Sequence, residues 1–312
     1  RIDGSSGFEI GYVKPGTNLQ TEARKYIRGN KNMVVWVDKS FAGSFGNLAR
    51  LRSAQFKTGT SVVFVMTEKD PSAFLIEAVH EITEQKMANV VAVIPGKSKK
   101  EEMVVFSGHY DHIGIGRPVD GDSIYNGAND DAAGITAVIL LAKHFKALNT
   151  NERTLLFVAF TAEESGGYGS RYFSGQVNPD KVMAMFNIEM IGTESKWGKN
   201  SAYITGYEKT TMGEILAKDL EGTGFTFYPD PYPAQQLFYR SDNATLARLG
   251  VPAHTISTSK MDVEPYYHKP GDEVKTLDME NMTMIIKAIA MSSKSMVAGK
   301  ETPSRVKVEE LR

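Results

Sequence analysis

Four short apolar runs constrain the fold of this chain more than any other feature. They are Met103–Ser107, Thr154–Phe160, Val182–Ile188 and Pro252–Ser257. A run as continuously apolar as Thr154–Phe160 suits a central strand covered on both faces. Segments with helical spacing lie between and after these runs. Asp131–Leu148 gathers Ile135, Val138, Ile139, Leu141, Ala142 and Phe145 on one broad apolar face. Helices are also predicted at Gly169–Ser174, Thr210–Leu220 (closed by Gly222), Ser241–Leu249 (ending at Gly250) and Leu277–Val297. A further strand, Ala88–Ile94, stops at Pro95-Gly96, and the charged run Ser98-Lys99-Lys100-Glu101-Glu102 reads as a solvated hairpin turn. Strands alternating with helices predict an α/β fold with a mostly parallel, doubly wound sheet.

Residues 1–85 read differently. Met33–Val37 and Thr60–Met66 are predicted strands, and Gly43–Phe56 has helical spacing with Leu48, Leu51 and Ala54 on one side. None of the strong chemical candidates lies here, so this stretch is expected to be an accessory or inserted subdomain. Residues 86–312 are expected to form the main domain.

Composition narrows the chemistry. The 312 residues include no cysteine, so disulfides and thiolate metal sites are both excluded. Any metal must sit on histidine and carboxylate, which suits catalytic zinc, or manganese or cobalt. A net charge of −1 argues against a general nucleic-acid or anionic-membrane binder. No apolar run approaches the ~20 residues of a membrane helix. Neither an initiator methionine nor a signal peptide stands at Arg1, so a mature or trimmed chain is expected.

The metal-ligand residue types are His109 and Asp111, Asp130 and Asp131, Glu163 and Glu164, Glu189, and His268, and the predicted strands place His109, Glu163, Glu164 and Glu189 at or just after their ends. In parallel sheets ligands bind outside the carboxyl ends of strands, where this pattern places them. A ligating histidine commonly needs a carboxylate on its other ring nitrogen, and Asp111 returns to the same side of an extended chain to supply one to His109. Asp130 and Asp131 precede a helix and could serve only as caps. Two cations about 3.5–4 Å apart, however, need a shared carboxylate, and Asp130 is the best placed for it. Glu163 and Glu164 are adjacent, so they point apart and can divide labour between metal and substrate. Glu189 is bracketed by apolar residues and needs a partner, either a metal or a basic side chain. His80, His144 and His254 have helical or strand settings and read as structural. His112 is open between supporting the site from behind and a plain loop position.

Six motifs in order resemble the cocatalytic zinc aminopeptidase and glutamate carboxypeptidase family of metallopeptidases, metallopeptidase family 28. They are Gly108-His109-Tyr110-Asp111-His112, Gly127-Ala128-Asn129-Asp130-Asp131-Ala132-Ala133-Gly134, Ala162-Glu163-Glu164, Asn187-Ile188-Glu189-Met190-Ile191-Gly192, Ser241-Asp242-Asn243 and Tyr267-His268-Lys269-Pro270-Gly271-Asp272. The resemblance runs from about Asn89 to Val297. It implies a three-layer α/β/α fold around a mostly parallel mixed sheet, and two Zn2+ per chain. One ion would be held by His109, Asp130 and Glu189, the other by His268, Glu164 and the bridging Asp130. Glu163 would be the general base toward a metal-bridging water and then the acid toward the leaving amine. Asp111 would orient His109, and a cis peptide would fall at Asp130–Asp131.

The implied activity is aminopeptidase action on peptides, with carboxypeptidase or dipeptidase action as the near alternative. Secretion or periplasmic export would follow for the compartment. Three departures stand out. Glu189 occupies a place where the family usually has Asp, Asn243 one where it often has His, and Leu246 one where an aromatic is common. Residues 1–85 resemble, loosely, the protease-associated domain of larger relatives. Glutaminyl cyclase, a one-zinc relative, lacks the histidine that stands here as His109. A dizinc amidohydrolase would need a lid insertion after Glu164, and only short connections follow. A binding ectodomain that has lost catalysis would have lost ligands, and every ligand position here keeps a competent side chain. Arg240 could bind a substrate carboxylate or be a surface residue. Phe225–Tyr239 is expected to border the specificity pocket.

Overall fold

The computed structural model describes residues 1–51, 56, 58–68, 70–79 and 83–311. The chain divides into two compact units, Arg1–Glu84 and Gln85–Arg312. In the first, β1 (Glu9–Val13), β2 (Met33–Asp38) and β3 (Val62–Thr67) form a parallel three-stranded sheet in sequence order. Helix α1 (Leu19–Arg28) connects β1 to β2 and starts at Asn18, whose side chain accepts from the Thr21 N–H. This helix was not predicted from the sequence. Its apolar contribution is only Leu19 and Ala23 at the buried face, too sparse for a periodicity argument. The helix expected at Gly43–Phe56 is instead a series of short turns, Lys39–Phe41, Ala42–Phe45 and Gly46–Leu51. Its remaining core position, Ala54, lies outside the described residues, as does His80.

The second unit is built on a seven-stranded sheet. Its strands are β4 (Val90–Ile94), β5 (Lys99–His109), β6 (Arg153–Phe160), β7 (Val182–Ile188), β8 (Ser201–Ile204), β9 (Thr226–Pro229) and β10 (Ala253–Ser257). Their spatial order is β9-β8-β10-β7-β5-β6-β4. The β6–β5, β5–β7, β7–β10 and β8–β9 pairs are parallel, whereas β4–β6 and β8–β10 are antiparallel. The charged run at 98–102 is not a hairpin turn. Lys99 onward already belongs to β5, which projects beyond its buried half and tolerates charge there. Strands β8 and β9 were missed because each is only four residues long.

Alternation along the central strands creates two cores. Val104, Phe106, Leu155, Phe157, Ala184 and Phe186 face one side. Val105, Leu156, Val158, Phe160 and Met185 face the other. Helices α2 (Ala133–Leu148), α4 (Met212–Asp219) and α6 (Met279–Ser292) cover the first face. Helices α3 (Tyr168–Ser174) and α5 (Asn243–Ala247) cover the second. The result is the three-layer α/β/α arrangement with a mostly parallel mixed sheet. Phe106 anchors it, with its ring stacked at 5.0–5.4 Å on Phe186, Phe157 and Phe145, from β7, β6 and α2. The long closing helix breaks at Ser293, before a short Lys294–Val297 turn.

His254 in β10 is fully buried, as its strand setting suggested. Its Nδ1 donates to the Thr205 carbonyl at 2.8 Å, so its Nε2 accepts from the Thr210 hydroxyl, also at 2.8 Å. Burial pushes its pKa down from 6.5 to about 4, against the opposing pull of the Thr205 carbonyl. The unfolded chain therefore takes up this proton first. The stabilising contribution is whole above about pH 6.5 and drains as the pH falls toward about 4, by on the order of 3 kcal/mol. The expected outcome is a loss of urea stability between about pH 7.5 and pH 4.5 that is smaller in His254→Gln than in the wild type by roughly 2–3 kcal/mol. Equal losses in both proteins would remove His254 as the cause.

Candidate metal centre

The carboxyl ends of β5, β6 and β7 meet at one edge of the sheet. His109 closes β5, Glu163 and Glu164 follow β6, and Glu189 follows β7. Asp130 comes from the turn Ala128–Ala132 that opens α2, and His268 from a late loop. His109 Nε2 lies 3.1 Å from Asp130 Oδ1. His268 Nε2 lies 3.3 Å from Asp130 Oδ2 and 3.1 Å from Glu164 Oε2. Ligand atoms of His109, Asp130 and Glu189 all fall within 4.8 Å of one another, and so do those of His112, Asp130 and Glu164. All five residues assigned to metal by resemblance are thus brought together, and His112 joins them. A second imidazole three residues after His109 was the available signal for it.

The donor set fits cations. His109 Nε2, Glu164 Oε1 and Glu189 Oε2 are buried without a hydrogen-bond partner. Lone pairs left unsatisfied in this way cost about 1–3 kcal/mol each, and here they converge. Burial pushes the Glu163 carboxyl up to about 9, helped by the charges of Glu189, Asp242 and Glu164 and opposed by His109. Burial likewise pushes Glu189 and Asp242 up. A cluster of this kind accommodates its negative charge only with protons or cations.

The backbone is shaped around these side chains. The Asp130–Asp131 peptide is cis. Ala162, Met190 and His268 adopt positive φ of 56°, 53° and 54°. Left-handed non-glycine residues cost about 1–3 kcal/mol each and gather at functional sites. The two residues read as caps divide. Asp131 Oδ1 accepts from the Gly134 N–H at 3.0 Å and from Met190 N–H at 3.2 Å, and its Oδ2 accepts from His109 N–H at 3.1 Å. Asp131 therefore caps α2 and ties β5 and β7 to it, while Asp130 is left facing the histidines. Gly134 is required by close approach, since a Cβ there would come within 2.1 Å of the Ile188 carbonyl oxygen.

One assignment needs correction, that of the Asp111 carboxylate. His109 Nδ1 is hydrogen-bonded to the Asp111 main-chain carbonyl oxygen at 3.0 Å, while the carboxylate lies 3.8 Å away. The Asp111 carboxylate instead accepts from the Glu163 and Glu164 N–H groups, at 3.0 and 3.3 Å, and so sets the loop that carries both acids. The segment Phe225–Tyr239 contributes only Leu237 to the pocket beside Glu189. Phe225, Phe227 and Phe238 are buried in the core. That pocket is lined mainly by Tyr203, Thr255, Ser257, Arg240 and Tyr267. Asn243 stands where the family often has His. It is fully buried, donating to the Phe238 carbonyl and accepting from the Thr255 hydroxyl. Leu246 is likewise buried in the core.

The sequence model of Peptidase family M28 matches residues 89–293. The chain belongs to this family. It is 22% identical over 327 aligned residues to aminopeptidase YwaD of Bacillus subtilis, covering 96% of this chain and 63% of that protein. It is 28% identical to a probable leucine aminopeptidase of Arthroderma otae, over 65% of this chain and 56% of that one. Its fold is similar to that of a zinc aminopeptidase from Bacillus subtilis, with a TM-score of 0.56 at 18% identity, over 96% of this chain and 72% of that one. The chain thus spans less than two thirds of the length of these two sequence relatives.

Asp272, the last residue of the motif at Tyr267–Asp272, clamps the Asp130 turn. It is buried, and its carboxylate accepts from the Asn129 N–H at 2.8 Å and the Asp130 N–H at 3.0 Å. Its carbonyl also accepts from the Ala128 N–H at 3.1 Å, so the His268 loop clamps the Asp130 turn. Asp272→Ala leaves two buried N–H groups unpaired and is expected to lower urea stability by roughly 2–4 kcal/mol. Asp272→Asn turns a donor toward one of those N–H groups and should recover at most half of this loss. A neutral Asp272→Ala would show that the turn holds itself.

Proposed function

We propose that this chain is a dizinc aminopeptidase, releasing N-terminal residues from peptides with Glu163 handling the proton. Asp130 is the observation that carries the reading. Its two oxygens face two different imidazoles, His109 at 3.1 Å and His268 at 3.3 Å, as a carboxylate shared between two cations must. His109, Asp130 and Glu189 would hold one ion, and Asp130, Glu164 and His268 the other. Glu189, in place of the family's usual Asp, still brings its carboxylate within reach of His109 and Asp130. When bound, zinc supplies Lewis acidity, polarising the scissile carbonyl and lowering the pKa of an attacking water.

The protein groups do the rest. The Nδ1–H of His109 donates to the Asp111 carbonyl, which leaves its Nε2 lone pair for the metal side. The Asp111 carboxylate holds the Glu163-Glu164 backbone, so one acid ligates while its neighbour faces the substrate. Glu163 takes the proton of the attacking water and passes it to the amine nitrogen as the C–N bond breaks. Burial and the neighbouring acids hold its carboxyl above the usual carboxylate range, and cations held by Glu164 and Glu189 would lower it again toward the ionised form that can take a proton. The names of the relatives support the choice of an N-terminal exopeptidase. A second reading, carboxypeptidase or dipeptidase action, is favoured by Arg240, whose cation lines the pocket beside Glu189.

The test is Glu163→Gln, assayed on aminoacyl anilides together with metal analysis. Two zinc ions should stay bound while kcat falls about a hundredfold to ten-thousandfold. Unchanged turnover would remove Glu163 as the base. Cleavage by the wild type of N-acetylated peptides with a free C-terminal carboxylate, but not of their C-terminal amides, would favour the carboxypeptidase reading.

A further inference from the structure

His112 has no task in the ligand assignment above, yet it is built into the centre. Its side chain is only 9% exposed. Both ring nitrogens are buried without a hydrogen-bond partner. Any imidazole carries at least one N–H, so leaving both positions unpaired in the interior is costly.

Its Nδ1 lies 2.8 Å from Glu164 Oε1, but neither atom makes a hydrogen bond. At that separation the N–H direction must miss the oxygen. Donors to one shared cation behave in this way, because each lone pair aims at the metal and the donors only touch side by side. His109 Nε2 shows the same signature, 3.1 Å from Asp130 Oδ1 and without a hydrogen bond. The room for the His112 ring is also specified. Gly127 has a φ of 65°, and a Cβ there would come within 2.7 Å of the ring's Cγ. The His268 ring stands edge-on at 5.8 Å.

We propose that His112 is a further protein ligand, through Nδ1, at the cation position of Asp130, Glu164 and His268. The proposal rests on the two-cation reading of the site. That position then has two imidazoles and two carboxylates, the filled four-donor set of a tetrahedral zinc site. The other position, with His109, Asp130 and Glu189, has three protein donors and keeps an open place for substrate. The two metals are therefore unequal. One is held by the protein alone, and the other is exposed to the reaction.

The experiment is nitrogen NMR of the full chain with isotope-labelled histidine, titrated with zinc, alongside His112→Ala and the exposed-site control His144→Ala. Three imidazoles should move to the metal-bound range. The signal lost in His112→Ala should be one of them, with its Nδ1 metallated and its Nε2 protonated. His112→Ala should also weaken one zinc site about tenfold or more. Zinc-bound protein in which only two histidines shift, or in which the His112 Nδ1 keeps its proton, overturns the proposal and leaves the two-cation reading standing. A spectrum unmoved by zinc overturns both.

Discussion

Mutual repulsion among buried carboxylates is the constraint around which this molecule is organised. Asp130, Asp131, Glu163, Glu164, Glu189 and Asp242 converge on one edge of a sheet whose strands are otherwise apolar. Burial raises the carboxyls of Asp131, Glu163, Glu189 and Asp242, and the neighbouring acids add to the shift at Asp131, Glu163 and Glu189. Such a cluster is stable only where backbone N–H groups, imidazoles or cations meet each charge.

The structure sorts its acids by what meets them. Asp111, Asp131 and Asp272 spend their oxygens on backbone N–H groups, two or three each. They fix the loop after β6, the start of α2 and the Asp130 turn, so they act on geometry. Glu164 and Glu189 each keep an oxygen without a hydrogen bond, and Asp130 faces two histidines. Their oxygens meet the imidazoles of His109, His112 and His268 instead. Beneath the site, Asn187 links Ser107, Ser241 and Thr255 and keeps β5, β7, β10 and the Ser241 turn in register. This buried polar network is satisfied internally, which gives the floor of the site its rigidity.

Much of the second unit was legible in the sequence. Apolar runs of strand length and a helix with a broad apolar face locate β5, β6, β7, β10 and α2, because burial on both faces of a sheet leaves a plain pattern. The candidate ligands were legible because histidines and acids at strand ends have few structural uses. The misses have physical reasons. Strands β8 and β9 are too short to show a period. The charges at 99–102 hide a strand whose end projects into solvent. Helix α1 buries only two residues and depends on its cap. Asp111 was read as a partner for a side chain when its carboxylate serves the backbone, and spacing along one strand does not report on a loop fifty residues away.

By itself the sequence determined the supply of parts: an α/β pattern, metal ligands restricted to histidine and carboxylate by the absence of cysteine, and their attachment to strand ends. Tertiary structure decided their division of labour. Whether Asp130 or Asp131 caps the helix depends on where Gly134, His109 and Met190 present their N–H groups. Whether His112 is a bystander or part of the centre depends on Glu164, which arrives from another strand. The physical reason is range. Hydrophobic periodicity is local and can be read along the chain, whereas a lone pair acquires its role from whichever distant group the fold sets within about 3 Å of it.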